Sequence, residues 1–273
     1  MIGKLFALLF RLLAKLFRRE TVSDQGKDLG IDGESRYIFW DKSTYSSQRD
    51  NQYYPHSTCN TTSMVMALER AGYDLKLEGM TTTSSGHTYE QPEDYLTHRL
   101  MSEAATKLAM QRHPQLVVGG KLTVPPNQIH DILSIFTNNW VGAYYTVDRA
   151  THFSLNNYLP DLIREFWRGC GIVLTGEFPM GDRTLRHMVS VSGFVLTGSK
   201  PVGNGADNEL LNRLEYLVIN DPYGDYHTGY KDQHGEGVLM PREDVIRIFR
   251  ESGSHHKWAH IVAPVDKTKI KVE

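Results

Sequence analysis

The sequence predicts an α+β fold with a mainly antiparallel sheet. Helical patterns come first along the chain and strand patterns follow, an order typical of that class. With 273 residues, the chain is long enough to bury a core without disulfide or metal support. Its apolar and charged fractions, 40% and 23%, match those of globular proteins, which excludes disorder over most of its length.

Helical spacing of apolar residues predicts four helices before the strands begin. Residues that usually bound helices stand at their ends, namely proline or acidic residues in the first turn and glycine after the last. The predicted helices cover residues 60–71, 92–112, the segment after Pro125-Pro126 to about Phe136, and 155–168.

The pattern then changes to runs rich in β-branched and aromatic residues, which favour strands. A stretch rich in Gly and Asn at 197–208 separates two of these runs and is typical of a hairpin connection. A short helix is expected at 242–251. The predicted strands cover residues 172–175, 187–196, 214–219 and 257–263.

Residues 1–20 are predicted to form a cationic amphipathic helix, with five cationic residues against one acidic residue. At helical spacing the cationic residues share one stripe, and Leu and Phe cover most of the remaining surface. Recurring charges exclude a spanning helix, and Arg11 interrupts the apolar run that a signal peptide needs. The pattern predicts a helix lying on an anionic membrane surface. A helix docked on the protein's own body or on a partner is the alternative.

The sequence divides into four parts. They are the amphipathic helix at 1–20, a linker with little periodicity at 21–45, a main domain at 46–265 and a tail at 266–273. A formal net charge of −2 argues against a protein that binds nucleic acid through bulk positive charge. Two cysteines form neither a disulfide framework nor a Cys₄ zinc site.

The sequence predicts no cofactor and no metal, since it lacks nucleotide-binding and zinc-peptidase motifs. A histidine cluster near the C-terminus lacks the further ligands of a zinc site, and an acidic cluster lacks the spacing of a calcium loop. These clusters are His255, His256 and His260, and Asp221, Asp225 and Asp232.

Cys59 stands at the start of the first predicted helix, the setting of a nucleophile. The positive end of the helix dipole and unpaired backbone N–H groups stabilise a thiolate there. The same N–H groups can stabilise the oxyanion that forms when the thiolate attacks a carbonyl. Cys170 instead enters an apolar strand and is interpreted as a core residue.

A nucleophilic cysteine needs a base, and the base needs a group that orients it. His187 begins an apolar strand, and Asp221 ends the next one. If these strands pair as a hairpin, the two side chains are neighbours. Each residue alone has a structural interpretation, as a core histidine or as the start of an Asp-Pro turn. The ordered set of Cys, His and Asp favours catalysis.

Three groups of residues surround these positions. They are Gln48-Arg-Asp-Asn51 with Thr58-Cys59-Asn-Thr-Thr-Ser-Met-Val-Met-Ala-Leu68, Arg186-His187-Met-Val-Ser-Val-Ser-Gly-Phe194, and Val218-Ile-Asn-Asp221-Pro-Tyr-Gly-Asp225. In this order they resemble the bacteriocin-leader-processing-like branch of papain-like cysteine peptidases, over about residues 46–263. The resemblance implies a papain-like fold with the active site between a helical lobe and an antiparallel sheet. It also implies Cys59 as nucleophile, His187 as base and Asp221 as orienting group.

The resemblance further implies a side-chain amide that completes the oxyanion hole a few residues before the nucleophile. The common position, six residues before the cysteine, holds Tyr53 here. The nearest amides are therefore the candidates, Gln52 first and Asn51 second. Asn60 replaces the Gly that often follows the cysteine, as in the Cys-Asn-x-Thr-Ser variant of bacterial and phage-encoded proteins.

The resemblance implies a cysteine hydrolase that cleaves amide bonds. Combined with the amphipathic helix, it predicts a phage-lysin-type or cell-wall peptidase or amidase, made in a reducing cytoplasm and acting on peptidoglycan peptides at the bacterial envelope. Its partners are then the peptide substrate and an anionic membrane surface bound by residues 1–20, with no nucleic acid. A membrane-tethered protein-processing peptidase and a membrane-active binding protein on an inactive scaffold are the alternatives.

Overall fold

The computed structural model describes residues 36–42, 45–75, 89–141, 147–152, 155–199, 210, 212–249 and 258–265. The predicted amphipathic helix at 1–20 and tail at 266–273 lie outside the described residues. Among the residues described, no helix has the length and apolar character needed to span a membrane.

An antiparallel sheet forms one half of the described structure, with strand order β4-β9-β5-β6-β7-β8. The first strand, β1, pairs with the second half of β6, whose first half pairs with β5. β2 and β3 form a separate hairpin. The strands are β1 (Arg36–Trp40), β2 (Val117–Val118), β3 (Lys121–Leu122), β4 (Val147–His152), β5 (Gly171–Met180), β6 (Arg183–Thr197), β7 (Leu214–Asn220), β8 (Val238–Pro241) and β9 (Trp258–Val262).

Most helices precede the central strands, and the α+β class is confirmed. Four of them gather on one side of the sheet, where the first helix contacts both β5 and β6. The helices are α1 (Cys59–Arg70), α2 (Pro92–Leu100), α3 (Glu103–Arg112), α4 (His130–Val141), α5 (Leu155–Trp167) and α6 (Arg242–Phe249).

Most of α1 is buried, since every residue from 60 to 68 belongs to the buried class. Its polar residues therefore need internal partners. The Thr61 hydroxyl lies 2.8 Å from that of Thr97, and the Ser63 hydroxyl donates to the Met188 carbonyl at 3.0 Å. The second bond attaches α1 to the strand residue that follows His187, so helix and strand cannot slide past each other without breaking it.

Close approach of α1 to the sheet depends on Gly171, the first residue of β5. A Cβ at this position would lie 1.7 Å from the Ala67 carbonyl oxygen, which no side chain tolerates. Glycine is therefore required where the middle of α1 rests on the sheet.

Two apolar cores hold the layers together. One fills the space between the sheet and helices α5 and α6, with Phe166, Phe178 and Phe249 fully buried in it. The other joins α1 to α2, α3 and α4 and includes Met64 and Leu96. The site described below lies where the two cores meet.

Most predicted elements are confirmed, with ends that differ by a few residues. One predicted helix starts later than expected, because a 3₁₀ turn at Pro126–Gln128 precedes α4. The predictions confirmed are the helices at 60–71, 155–168 and 242–251 and the strands at 172–175, 187–196, 214–219 and 257–263.

The single helix predicted at 92–112 is wrong, since α2 ends at Leu100 and α3 begins at Glu103. Ser102 separates them, and its hydroxyl accepts a hydrogen bond from the Ala105 N–H at 3.2 Å. A serine in this position caps a new helix rather than continuing the old one.

The linker predicted at 21–45 is also wrong from residue 36 onward, because β1 belongs to the sheet. Ile38 of this strand is buried against Val195 and Val218, so the domain begins before residue 46. Burial on one short strand gives no helical periodicity, which is why the sequence pattern did not reveal it.

The contact between α1 and β5 leads to a stability prediction. We expect Gly171→Ala to lower the free energy of unfolding by about 3 kcal/mol, because the added methyl group must displace backbone. Gly119→Ala, in a turn with a φ of 57° and nothing within 4 Å, serves as the control and should cost roughly 1 kcal/mol. Urea denaturation measures both. Equal losses in the two variants would contradict the steric argument.

Candidate active site

Cys59 is the first residue of α1, and its side chain is partly exposed. It opens onto a cavity of about 430 Å³ that is also lined by His187. The segment before it turns at Tyr54 and Pro55, and the Thr58 carbonyl accepts the first helical hydrogen bond, from Thr62, at 3.0 Å. The helix start therefore presents the sulfur to the cavity, while residues 60–68 of α1 are buried.

His187 and Asp221 form a buried pair behind this sulfur. His187 is the first buried residue of β6, and Asp221 directly follows β7. The predicted pairing of these two strands is confirmed, with Ser190 opposite Asn220. His187 Nε2 lies 2.7 Å from Asp221 Oδ1, and the side chains are 3% and 0% exposed.

Cys59 lines the same cavity as His187, and its interaction with the ring contributes to the raised pKa of His187. Because Asp221 engages Nε2, Nδ1 is the ring nitrogen that remains for the sulfur. The structure thus brings together Cys59, His187 and Asp221, the three residues that the sequence singled out.

The Asp221 carboxylate has further donors that fix its orientation. Oδ1 accepts from the Tyr223 N–H at 2.9 Å, and Oδ2 accepts from the Tyr230 hydroxyl at 3.4 Å. Its own backbone N–H donates to the Gly235 carbonyl at 2.8 Å. These contacts hold the carboxylate in one orientation against the imidazole.

Burial and charge act in opposite directions on His187. Burial alone would lower its pKa, because a charged imidazole loses its hydration. The negative charges of Asp221 and Cys59, with their hydrogen bonds, outweigh this effect and raise the pKa of His187 to about 10. The edge of Phe178 packs against the ring at 5.1 Å and keeps water away from it. At neutral pH the imidazole is therefore positively charged beside the sulfur.

Gln48 also lines the cavity with Cys59, although sequence reasoning did not select it. Its side chain is buried, and Nε2 donates to the Pro55 carbonyl at 2.8 Å. That bond fixes the orientation of the amide beside the cavity. The available signal was its position at the start of the Gln48-Arg-Asp-Asn51 motif; the intervening turn brings it close despite eleven positions of separation.

Neither amide predicted for the oxyanion hole is positioned for that role. Gln52 is exposed and does not line the cavity. The Asn51 amide is buried and donates to the hydroxyls of Thr58 and Thr62 at 2.9 and 3.0 Å. Asn51 therefore stabilises the start of α1 instead. Proximity in sequence was misleading because the segment between Gln48 and Cys59 folds back on itself.

The cavity has walls from both halves of the structure. One wall comes from the segments before α1 and after β7, and the other from strands β5, β6 and β9 with the segment before α4. The lining residues other than Gln48, Cys59 and His187 are His56, Ser57, Asn60, Gln128, Thr175, Met180, Leu185, Arg186, Met188, Tyr223 and Trp258.

The other candidate residues that the structure describes lie outside the cavity, and their contacts are structural. Cys170 is buried in the sheet core, as predicted, with its sulfur 3.5 Å from Glu165. His260 is fully buried, with Nδ1 3.1 Å from the Ser134 hydroxyl, and burial lowers the pKa of His260 to about 3. Asp225 and Asp232 accept from backbone N–H groups of their own loop.

No group of three or more potential ligands in the described part of the chain is arranged to hold a metal ion. His255 and His256 lie outside the described residues.

The comparison with protein families agrees with this geometry. A model described as the Peptidase_C39 like family matches residues 41–238, which is more than half of the chain. The matched span includes Cys59, His187 and Asp221, and it confirms the resemblance to the papain-like branch drawn from the sequence motifs. No match was found among curated proteins.

The buried pair leads to a prediction about proton affinity. We expect Asp221→Asn to lower the pKa of His187 from about 10, because the substitution removes the negative charge that opposes the effect of burial. NMR titration of histidine-labelled protein, with His187→Gln to assign the signal, measures this pKa. Asp225→Asn, which alters a carboxylate of the adjoining loop, is the control and should leave the titration unchanged. Identical titrations in wild type and Asp221→Asn would contradict the assignment.

The same raised pKa predicts a pH dependence of stability. A histidine whose pKa rises on folding contributes stability that is complete below its unfolded value, about 6.5. That contribution is lost as the pH rises through the folded value of about 10. We therefore expect the free energy of unfolding to fall more steeply between these limits in wild type than in Asp221→Asn. Urea denaturation at several pH values tests this, and parallel curves would argue against it.

Proposed function

We propose, since the chain belongs to the Peptidase_C39 like family and is therefore a cysteine peptidase, that it hydrolyses amide bonds through Cys59, His187 and Asp221. The observation that carries the proposal is the contact between a partly exposed sulfur and a buried, charged imidazole at one cavity. If Cys59 and His187 had only structural roles, nothing would require both of them to line one cavity.

In the first step the Cys59 thiolate attacks the carbonyl carbon of the substrate. The new C–S bond takes the electron pair of sulfur, and the carbonyl π electrons move to oxygen. His187 remains protonated during this attack because Asp221 holds it in the imidazolium form. A resident ion pair removes the need to deprotonate the thiol when substrate arrives.

The oxyanion requires donors placed before the reaction begins. The backbone N–H of Cys59, at the start of α1, is one candidate. The second is the Gln48 side-chain amide, which is buried at the cavity and fixed by Pro55. Gln48 therefore replaces Gln52 and Asn51 as the proposed second donor, because neither of those two residues lines the cavity.

Two proton transfers complete the reaction. As the C–N bond breaks, its electrons go to nitrogen, and His187 Nδ1 gives its proton to the leaving amine. The acyl group remains on Cys59 as a thioester. His187, now neutral, takes a proton from water, whose oxygen attacks the thioester and releases the acid. The released thiolate and the protonated His187 restore the starting ion pair.

We propose peptidoglycan stem peptides at the bacterial membrane as the substrate. The cationic, Leu- and Phe-rich sequence of residues 1–20 supports this, because such segments bind anionic lipid surfaces. Arg186, an exposed cation at the cavity directly before His187, suits the carboxylates of stem peptides.

Isolated bacterial sacculi test this substrate. We expect wild-type protein to release new amine termini from sacculi, and Cys59→Ala to release none. Cys170→Ala is the matched control, because that cysteine is buried in the core outside the cavity, and it should keep the activity.

Two other outcomes would replace the proposed cell-wall function. Cleavage of protein substrates without any action on sacculi would replace the cell-wall role with protein processing. Vesicle leakage that is equal in wild type and Cys59→Ala, with no hydrolysis of either substrate, would leave a membrane-active protein on an inactive scaffold. In that last case the proposed chemistry is rejected.

The assignment of Gln48 gives a separate prediction. We expect Gln48→Ala to lower kcat for amine release about 100-fold, the usual effect of losing one oxyanion donor. Gln52→Ala removes an exposed amide four residues away and should have little effect. Alkylation of Cys59 by iodoacetamide, which forms no oxyanion, should proceed in both variants. Loss of activity in Gln52→Ala but not in Gln48→Ala would reverse the assignment.

A further inference from the structure

The turn that follows Asp221 is attached to the segment that precedes Cys59. The Gln48 backbone N–H donates to the Pro222 carbonyl at 2.9 Å. The Arg49 Nε donates to the Tyr223 carbonyl at 2.6 Å. A single short segment, Ser47 to Arg49, therefore contacts both the cavity and the turn that carries the carboxylate.

Arg49 holds Tyr223 in two ways at once. Besides the bond to the Tyr223 carbonyl, its guanidinium lies 3.8 Å from the centre of the Tyr223 ring. A planar guanidinium can stack on a ring and donate in its own plane, which a lysine ammonium cannot do together. Arg49 does not line the cavity, so these contacts are made behind the wall that Tyr223 presents to it.

Tyr223 in turn holds Asp221. Its N–H donates to Asp221 Oδ1 at 2.9 Å, the same oxygen that bonds to His187. The next residue, Gly224, has a φ of 125°, a backbone conformation that favours glycine. The turn is therefore short and glycine-containing, and its contacts with the Ser47–Arg49 segment hold it in one arrangement.

We infer that Arg49 is a positioning residue, which fixes Tyr223 and through it keeps the Asp221 carboxylate against His187. Because Gln48 precedes it, the same segment sets both the oxyanion donor and the group that charges the imidazole. The inference rests on the proposed roles of these residues in amide hydrolysis, but the placement of Asp221 can be measured without any substrate.

The groups facing His187 determine what its titration reports. They are Cys59 from α1, Asp221 at the end of β7, and Tyr223 and Tyr230 from the following turn, while Phe178 of β5 presents an apolar edge. Of these, Asp221 supplies the largest favourable interaction with the imidazolium. A displacement of its carboxylate therefore changes the pKa of His187 more than an equal displacement of any other of these groups.

The direction in which the pKa of His187 changes distinguishes a positioning role of Arg49 from a direct effect of its charge. If Arg49 acted only as a nearby positive charge, its removal would make the imidazolium more stable and raise the pKa of His187. If it acts by holding Asp221, its removal weakens the favourable interaction and lowers the pKa of His187. A residue needed only for folding would change the melting temperature and leave the titration as it was.

The test is NMR titration of His187 in Arg49→Met and Arg49→Lys. We expect the pKa of His187 to fall in both, and more in the methionine variant, which keeps neither the hydrogen bond nor the charge. Amine release from sacculi should fall at least tenfold in Arg49→Met, as expected for a misplaced catalytic group. Arg112→Met removes a surface arginine that pairs with Asp131 and is the matched control, with no change expected.

A double-mutant cycle tests whether Arg49 acts through Asp221. In the Asp221→Asn background, Arg49→Met should produce no further fall in the pKa of His187. A full effect in that background, an unchanged titration or a rise in the pKa would each overturn the inference. If Arg49→Met does not fold, the lysine variant decides by the same criteria. A wild type inactive on amides, with the titration shift present, would reject the proposed function and keep the positioning role.

Discussion

The hydrogen bond between His187 Nε2 and Asp221 Oδ1, 2.7 Å long and closed to solvent, is the interaction on which the rest of the site depends. A buried imidazole without a negative partner would be neutral, since burial disfavours its charged form. The carboxylate reverses this balance and holds a charged ring beside the Cys59 sulfur. Oriented donors around Asp221, from Tyr223 and Tyr230, keep that negative charge in place.

The fold supplies this arrangement through two rigid attachments. Strand β7 pairs with β6 from Ser190 to Leu196, which brings the residue after β7 beside His187. The helix α1 rests on the sheet at Gly171 and is attached to Met188 by Ser63, which fixes Cys59 from the opposite side. Catalytic groups that come from different elements need such attachments, because small displacements are costly to the reaction. The contacts of Arg49 with Tyr223 attach the turn after β7 in the same way.

The sequence was most informative where local chemistry and position agree. Cys59, His187 and Asp221 could be selected as candidates because each residue type is unusual in its setting, at a helix start, at the first buried position of β6 and directly after β7. Gln48 could not, because its approach to the cavity depends on a fold-back that no spacing rule describes. Similarly, β1 was missed because its burial comes from pairing with the distant second half of β6. Long-range contacts thus account for these two errors, whereas the division of the helix predicted at 92–112 is a local effect of the Ser102 cap.

The proposed mechanism requires a thiolate and an imidazolium to coexist at this site near neutral pH. A thiolate absorbs ultraviolet light that a thiol does not, so the difference in absorbance between wild type and Cys59→Ala isolates the Cys59 signal from that of Cys170. We expect a thiolate signal at pH 7 in wild type that is lost in His187→Ala. Absence of the signal in wild type, or its persistence without the imidazole, would contradict the ion pair.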